Sequence, residues 1–369
     1  MSTVHVFINA NGVFIKKTME YVEQIEPGKH FYFVEKGSTD GIPFEQLLKS
    51  RSHIEALVKK GQIRQVLFHS LHYYQFRWLR HLQRSYPEIL ISWMFWSFEY
   101  YQLSFEVAKL YASFSQQFLT RKLLFNLWEN AFNFFRGRSL TLLPISKSKY
   151  QRTIGGLNHF YSFNSVDFDR VFNFKQTVKY HFMSYLDASD LFVQSEQKNV
   201  KRRIMVGHNG SPLLNHLEVI NYLSEINCQE EVLLPLNYGK ADYISRLKLE
   251  ILKFPQLNVQ LLEKPMSMEE YYRYICDVEF FLLNSYCQQG LGNIIYFLFN
   301  DATVYLSDKS SSYHFFKGLG FSLKPMEELI LGGALSPITN EEKIRNKQLV
   351  QDHFSREKVL EQWEGMLRI

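Results

Sequence analysis

Cysteine is scarce in this chain. Three residues, Cys228, Cys276 and Cys287, are spread through 369 positions. An odd number without metal-ligand spacing neither pairs completely nor builds a thiolate metal site, which suits a reducing cytoplasm. Long apolar runs are missing as well: no stretch approaches the roughly 18 consecutive apolar residues that mark a membrane-crossing helix. No positively charged segment leading into an apolar core opens the chain, so no signal peptide is expected. Internal repeats and low-complexity tracts are absent, and the net charge of +5 is only mildly basic.

What is abundant is apolar and aromatic surface. Hydrophobic residues make up 46% and aromatic residues 16%, with 32 Phe and 22 Tyr, far too much for a disordered chain. At this length two domains of ordinary size are the better expectation than one large core.

The most informative stretch is Tyr286-Cys287-Gln288-Gln289-Gly290-Leu291-Gly292-Asn293. An apolar strand pattern, Val278 to Leu283, precedes it, and a helix pattern, Ile294 to Phe299, follows, so two glycines stand at a strand-to-helix junction. The first turn of a helix leaves N–H groups without intrahelical partners and carries the positive end of the helix dipole, which favours a phosphate. Glycine lets the backbone approach such a ligand closely. Taken alone, the pattern is equally that of a tight turn.

The rest of the chain reads as two α/β halves. In the first, Val4 to Ile8 leads through Asn9-Ala10-Asn11-Gly12 into a helix from about Phe14 to Ile25. Gln65 to Ser70 precedes a helix from about Gln75 to Arg84, and Ile89 to Trp96 ends in Ser97-Phe98-Glu99-Tyr100. In the second, Ile204 to Val206 leads into Gly207-His208-Asn209-Gly210-Ser211, and Glu231 to Leu236 leads into Asn237-Tyr238-Gly239. Val259 to Leu262 is a short strand, Ser267-Met268-Glu269-Glu270 is a capping box, and Ala302 to Leu306 is a further strand. Strands alternating with helices imply parallel sheets, whose ligands sit beyond the carboxyl ends of the strands. The polar, interrupted stretch from about Leu186 to Lys201 reads as the linker. The expected domains are 1–185, 186–352 and a C-terminal helix, 353–369, whose stripe of Val359, Trp363, Met366 and Leu367 fits either a return to the first domain or local packing.

The succession Val206, Gly207, Asn209, Ser211, Asn215 and His216, then Leu234 to Gly239, then Leu261 to Lys264, then Gln288-Gln289-Gly290-Leu291-Gly292 resembles the TDP-4-acetamido-4,6-dideoxygalactose:lipid-linked-disaccharide transferases of enterobacterial common antigen synthesis. Most of the likeness lies in Arg203 to Phe316. Trp96-Ser97-Phe98-Glu99-Tyr100-Tyr101 is similar to a Trp-Gly-x-Asp-x-Tyr segment of that family, with Glu99 in place of Asp and Ser97 in place of Gly. The resemblance implies a GT-B fold, two Rossmann-like domains facing a central cleft. It also implies an inverting glycosyltransferase that moves a deoxy or acetamido-deoxy hexose from a TDP- or UDP-linked donor to a lipid-linked saccharide, at the inner face of the plasma membrane.

Inverting transfer needs a base for the acceptor hydroxyl, a clamp on the departing diphosphate and exclusion of water. Glu99, just past a buried strand, is the first candidate for the base, because desolvation raises a carboxyl pKa toward a useful value. His69 is the second, and a satisfied core histidine is its ordinary alternative. Asn9, Asn11, Lys16 and Lys17 are candidates for acceptor or leaving-phosphate contacts, although lysines on an early helix are often merely solvated. On the donor side, Asn209, Ser211 and Asn215 suit phosphate or ribose, Tyr238 suits a base, and Glu263 and Lys264 suit the nucleoside. Gln288, Gln289, Gly290, Gly292 and Asn293 are the residues expected to hold the diphosphate. No metal and no cofactor are expected. The rival metal pattern is Asp167-Phe168-Asp169, which reads as easily as the wet face of a strand or a turn. Phe118 to Arg138 combines aromatic and basic residues in an amphipathic helix suited to an anionic membrane interface or to a core. A nucleotide-sugar epimerase and a non-catalytic envelope binding protein are the alternatives in other classes.

Overall fold

The computed structural model describes residues 1–8, 12–37, 39–101, 103, 107–117, 146–185, 187–191 and 202–369. Asn9, Asn11, the amphipathic segment Phe118 to Arg138 and most of the expected linker lie outside the described residues. Two compact units emerge. One comprises Met1–Phe105, Ile145–Asp187 and Phe354–Ile369, the other Glu106–Pro144 and Ala188–His353.

The first unit is built on six parallel strands: β1 (Ser2–Phe7), β2 (His30–Val34), β3 (Ile63–His69), β4 (Leu90–Met94), β5 (His159–Ser162) and β6 (Lys179–Phe182). Their order is β2-β1-β3-β4-β5-β6. Val4, Val6 and Phe7 of β1 are wholly buried, as expected of a parallel sheet covered on both faces. On one face Phe7, Leu67 and Met94 pack with Ile15, Tyr21 and Val22 of helix Gly12–Ile25 and with Val359, Trp363, Met366 and Leu367 of helix Arg356–Leu367. Each such side chain contributes about 1.5–3 kcal/mol when fully buried, so the apolar stripe of the last helix belongs to this core.

β2, β5 and β6 were not legible as strands. Each is short, and histidine and tyrosine interrupt its apolar pattern, as in His159-Phe160-Tyr161-Ser162. The Asp167-Phe168-Asp169 segment is neither strand nor turn but part of helix Ser165–Val171, capped by Asn164, whose side chain accepts a hydrogen bond from Asp167 N.

The second unit carries β7 (Arg203–Val206), β8 (Glu231–Pro235), β9 (Val259–Leu262), β10 (Val278–Leu283), β11 (Thr303–Leu306) and β12 (Lys324–Pro325). They are parallel, in the order β12-β11-β10-β7-β8-β9. This is the Rossmann order, with β7 as its first strand. Ile204, Val206, Val232, Leu234, Phe280 and Leu282 are buried with Val219, Ile220 and Leu223 of helix His216–Glu225. The capping box is formed as read: Ser267 Oγ accepts from Glu270 N at 3.2 Å, and Glu270 Oε2 accepts from Ser267 N at 2.8 Å. Among the described residues no helix is long and apolar enough to cross a membrane.

Candidate functional site

In an open parallel sheet the crevice opens where the strand order reverses, because the loops on either side leave in opposite directions. In the second unit that point lies between β7 and β10. Gly207-His208-Asn209 leaves β7, and Asn284 to Gly290 leaves β10 for helix Leu291–Phe299. Gly290 caps that helix in the left-handed region, φ 63°, and a Cβ built there would lie 2.9 Å from His208 Nδ1. Glycine is needed at this position twice over, for its backbone angle and for the approach to the His208 ring.

The side chains around the junction have unmet hydrogen-bonding capacity. His208 is buried. The Asn209 amide nitrogen, a donor only, lies 3.0 Å from its Nε2, so the neutral ring carries its proton on Nδ1. Nδ1 has no partner. Burial holds this histidine down at about 4, so the ring is neutral near pH 7. Asn284 is 1% exposed, and neither its Nδ2 nor its Oδ1 is bonded. A buried polar group left unpaired costs about 1–3 kcal/mol. Such groups gathered at a strand switch point leave hydrogen-bonding capacity open to water or to a polar ligand.

The other donor-side candidates divide. Asn209 belongs to the junction. Gln288 is buried within it, and Gln289, Gly292 and Asn293 are half-buried, with Asn293 Oδ1 accepting from the Tyr271 hydroxyl at 2.8 Å. Tyr238 is 54% exposed, its ring 6.4 Å from that of His208. Ser211 Oγ accepts from Leu213 N and caps the turn Pro212–Leu214. Asn215 requires a correction. It is wholly buried, its Oδ1 accepts from Ala112 N, and its Nδ2 donates to Leu110 O and Asn284 O, which makes it a brace between loops rather than a donor ligand. Glu263 and Lys264 follow the edge strand β9. Glu263 pairs with Lys248 on the surface, and Lys264 borders a separate hollow with Pro265, Met266, Glu270, Arg273 and Tyr274.

In the first unit the order reverses between β1 and β3. Lys16 is exposed. Lys17 Nζ stands 3.5 Å from the buried carboxylate of Asp187 and 3.6 Å from Glu20, a structural ion pair. His69 is a core residue rather than a base. Its ring is 1% exposed, stacked on Phe7 at 4.1 Å, with Nε2 3.0 Å from His5 Nδ1, and His5 in turn reaches His30 at 3.1 Å. Burial holds His69 down at about 3.

Glu99 is a buried carboxyl with only one of its oxygens bonded. It lies in the short helix Phe98–Tyr101, 6% exposed, behind a turn in which Ser97 takes φ 82°. That backbone angle explains why glycine is the residue expected at position 97. Glu99 Oε1 accepts from Trp93 Nε1 at 3.1 Å and Trp96 N at 2.9 Å, while Oε2 is buried and unbonded. Burial pushes the carboxyl up to about 7, the backbone N–H groups of Trp96 and Glu99 and the Trp93 indole pull against it, and the buried Asp167 adds a smaller push upward. Asp167 itself is engaged by the Tyr101 hydroxyl and by Asn164 Nδ2, and Asp169 is exposed on another side of its helix. Residues two apart on a helix do not face each other, so the two carboxylates do not converge on one cation.

Sequence reasoning missed His208 and Asn284. The signal was there in their places, one residue beyond a strand-end glycine and the first residue after an apolar strand.

The family model for 4-alpha-L-fucosyltransferases, glycosyl transferase group 56, matches residues 148–313. The chain is a glycosyltransferase. Its fold is GT-B, two Rossmann-like units. A glycosyltransferase from Rickettsia africae superposes with TM-score 0.62 at 11% identity, over 100% of this chain and 97% of that one. The Anabaena protein Alr3699/HepE in complex with UDP and glucose superposes with TM-score 0.61 at 9% identity, over the whole of both chains. An alpha,alpha-trehalose-phosphate synthase (UDP-forming) from Burkholderia vietnamiensis gives 0.61 at 10% identity, over 100% and 99%. No curated protein sequence matches the transferase.

Proposed function

We propose that the enzyme is an inverting transferase that moves a deoxy or acetamido-deoxy hexose from a TDP- or UDP-linked donor to a lipid-linked saccharide, at the inner face of the plasma membrane, in cell-surface polysaccharide synthesis. The observation that carries this reading is Glu99, a buried carboxyl at about 7 with one oxygen unbonded. A general base is most effective when its pKa lies near the working pH.

In this reading the first unit receives the acceptor and the second the donor. Glu99 takes the proton of the acceptor hydroxyl as that oxygen forms its bond to the anomeric carbon. The bond from that carbon to the diphosphate oxygen breaks on the opposite side, which inverts the configuration. The departing diphosphate carries its new charge to the N-terminus of helix Leu291–Phe299, beside Gly290, where backbone dipoles stabilise it. Gln288, Gln289, Gly292 and Asn293 are its further contacts, with Tyr238 against the base. UDP in the Anabaena structure of like fold supports a nucleoside diphosphate donor. The lipid-linked acceptor and the membrane rest on the sequence resemblance and on the aromatic and basic composition of Phe118 to Arg138.

The test incubates the purified chain with TDP- and UDP-linked sugars and lipid-linked saccharides, and reads nucleotide release together with the anomeric configuration of the product by NMR. A thermal-shift series with TDP, UDP, GDP and CMP precedes it. Stabilisation by none of the four refutes the donor assignment, and an isomerised nucleotide-sugar without transfer would make the enzyme an epimerase.

A further inference from the structure

We propose that His208 is a ligand of the donor's diphosphate, donating its Nδ1–H to a phosphate oxygen that sits against the N-terminus of helix Leu291–Phe299. The proposal rests on the donor-site reading given above and names a residue within it.

Three observations converge. The first is the tautomer: Asn209 Nδ2 donates to Nε2 at 3.0 Å, which leaves the ring's single proton on Nδ1. The second is the unmet donor. Nδ1 is buried with no partner, in a side chain only 6% exposed, where a buried N–H is ordinarily satisfied. The third is position. The Cβ point of Gly290 lies 2.9 Å from Nδ1, 3.2 Å from Cε1 and 3.3 Å from Cγ, over the face of the ring, so the bare glycine lets His208 pack directly against the end of the helix that attracts anions.

The sheet register supplies a companion. Val206 of β7 lies opposite Leu282 of β10, and two residues further along each strand come His208 and Asn284. Asn284 is likewise buried with both side-chain polar atoms unbonded. The floor of the switch point thus presents an imidazole N–H and a carboxamide, which together suit the oxygens of a phosphate group rather than a sugar's apolar face. Burial keeps His208 neutral, so it binds the phosphate as a neutral hydrogen-bond donor and asks for no buried charge in the empty enzyme.

The experiment is calorimetric titration of the full chain with TDP and with UDP, for the wild type, His208→Ala and His208→Asn. A hydrogen bond to a charged group corresponds to about 10- to 100-fold in affinity, and His208→Ala is expected to lose that much. His208→Asn sets an amide N–H near the position of Nδ1–H and is expected to stay within about threefold of the wild type. In histidine-labelled wild type, the Nδ1 resonance of His208 is expected to move when the nucleotide is added. Wild-type affinity in a folded His208→Ala variant overturns the proposal and leaves the donor reading standing. Equal loss in both variants, or an unmoved Nδ1 resonance in saturated enzyme, also overturns it, because the side chain then acts through packing. A wild type that binds neither nucleotide overturns the donor reading and this proposal with it.

Discussion

Trp93 Nε1 donates a 3.1 Å hydrogen bond to Glu99 Oε1, and the same oxygen also receives Trp96 N, so one half of a buried carboxyl is fixed while its other oxygen is left without a partner. The indole holds the group in orientation. The burial that accompanies it raises the carboxyl to about 7. In the proposed mechanism one side chain is thereby both positioned and tuned for proton transfer.

Glu99→Gln keeps the size of the side chain and an oxygen for Trp93 and Trp96, and loses the base. The expected loss in kcat is about 10²- to 10⁴-fold. Donor affinity, measured by calorimetry, is expected to stay within about twofold, since the nucleotide contacts are assigned to other residues. An unchanged kcat removes Glu99 from the mechanism, and with His69 in the core no second base remains among the candidates.

The same substitution should alter stability against pH with a definite sign. Glu99 is raised from 4.5 to about 7 on folding, so between those values the folded chain holds a proton that the unfolded chain has released. The contribution is present below about 4.5 and is lost as pH rises through about 7. At about 1.4 kcal/mol per unit the full loss is on the order of 3 kcal/mol. Urea denaturation at pH 5 and pH 8 is expected to show Glu99→Gln gaining on the wild type as pH rises. A constant difference between the two proteins contradicts the raised pKa.

Gly290→Ala places a methyl group 2.9 Å from His208 Nδ1 on a backbone held at φ 63°. The left-handed conformation alone costs an alanine about 1–2 kcal/mol. Both a lower melting temperature and weaker TDP or UDP binding are expected, measured by calorimetry on the same samples. Binding at wild-type strength means that the diphosphate does not approach the helix at Gly290.

Activity is expected to survive EDTA, because the proposed clamp consists of backbone dipoles and uncharged side chains. Asp167→Ala is expected to destabilise the first unit by about 1–3 kcal/mol by removing the buried carboxylate that accepts from the Tyr101 hydroxyl and from Asn164 Nδ2. Activity lost in EDTA and restored by manganese or magnesium, but not in Asp167→Ala, would reassign Asp167 to a cation.

Local pattern determined a good deal. The apolar runs of β1, β3, β4, β7, β8, β9, β10 and β11, the capping box at Ser267 and Glu270, and the strand-to-helix junction at Gly290 are all set by residues within a few positions of one another, and periodicity and turn chemistry are short-range properties. Tertiary structure decided what no window of sequence contains. His69 is a core residue because His5, 64 positions away, and Trp363 enclose it. Asn215 is a brace because Leu110 and Ala112 come to it from more than 100 positions upstream. Glu99 owes its raised pKa to burial, which depends on the whole unit closing around it. The orphaned Nδ1 of His208 exists only because β7 and β10, more than 70 positions apart in sequence, lie side by side. Hydrogen-bond satisfaction and desolvation are sums over spatial neighbours, so they are defined only once the chain has brought those neighbours together.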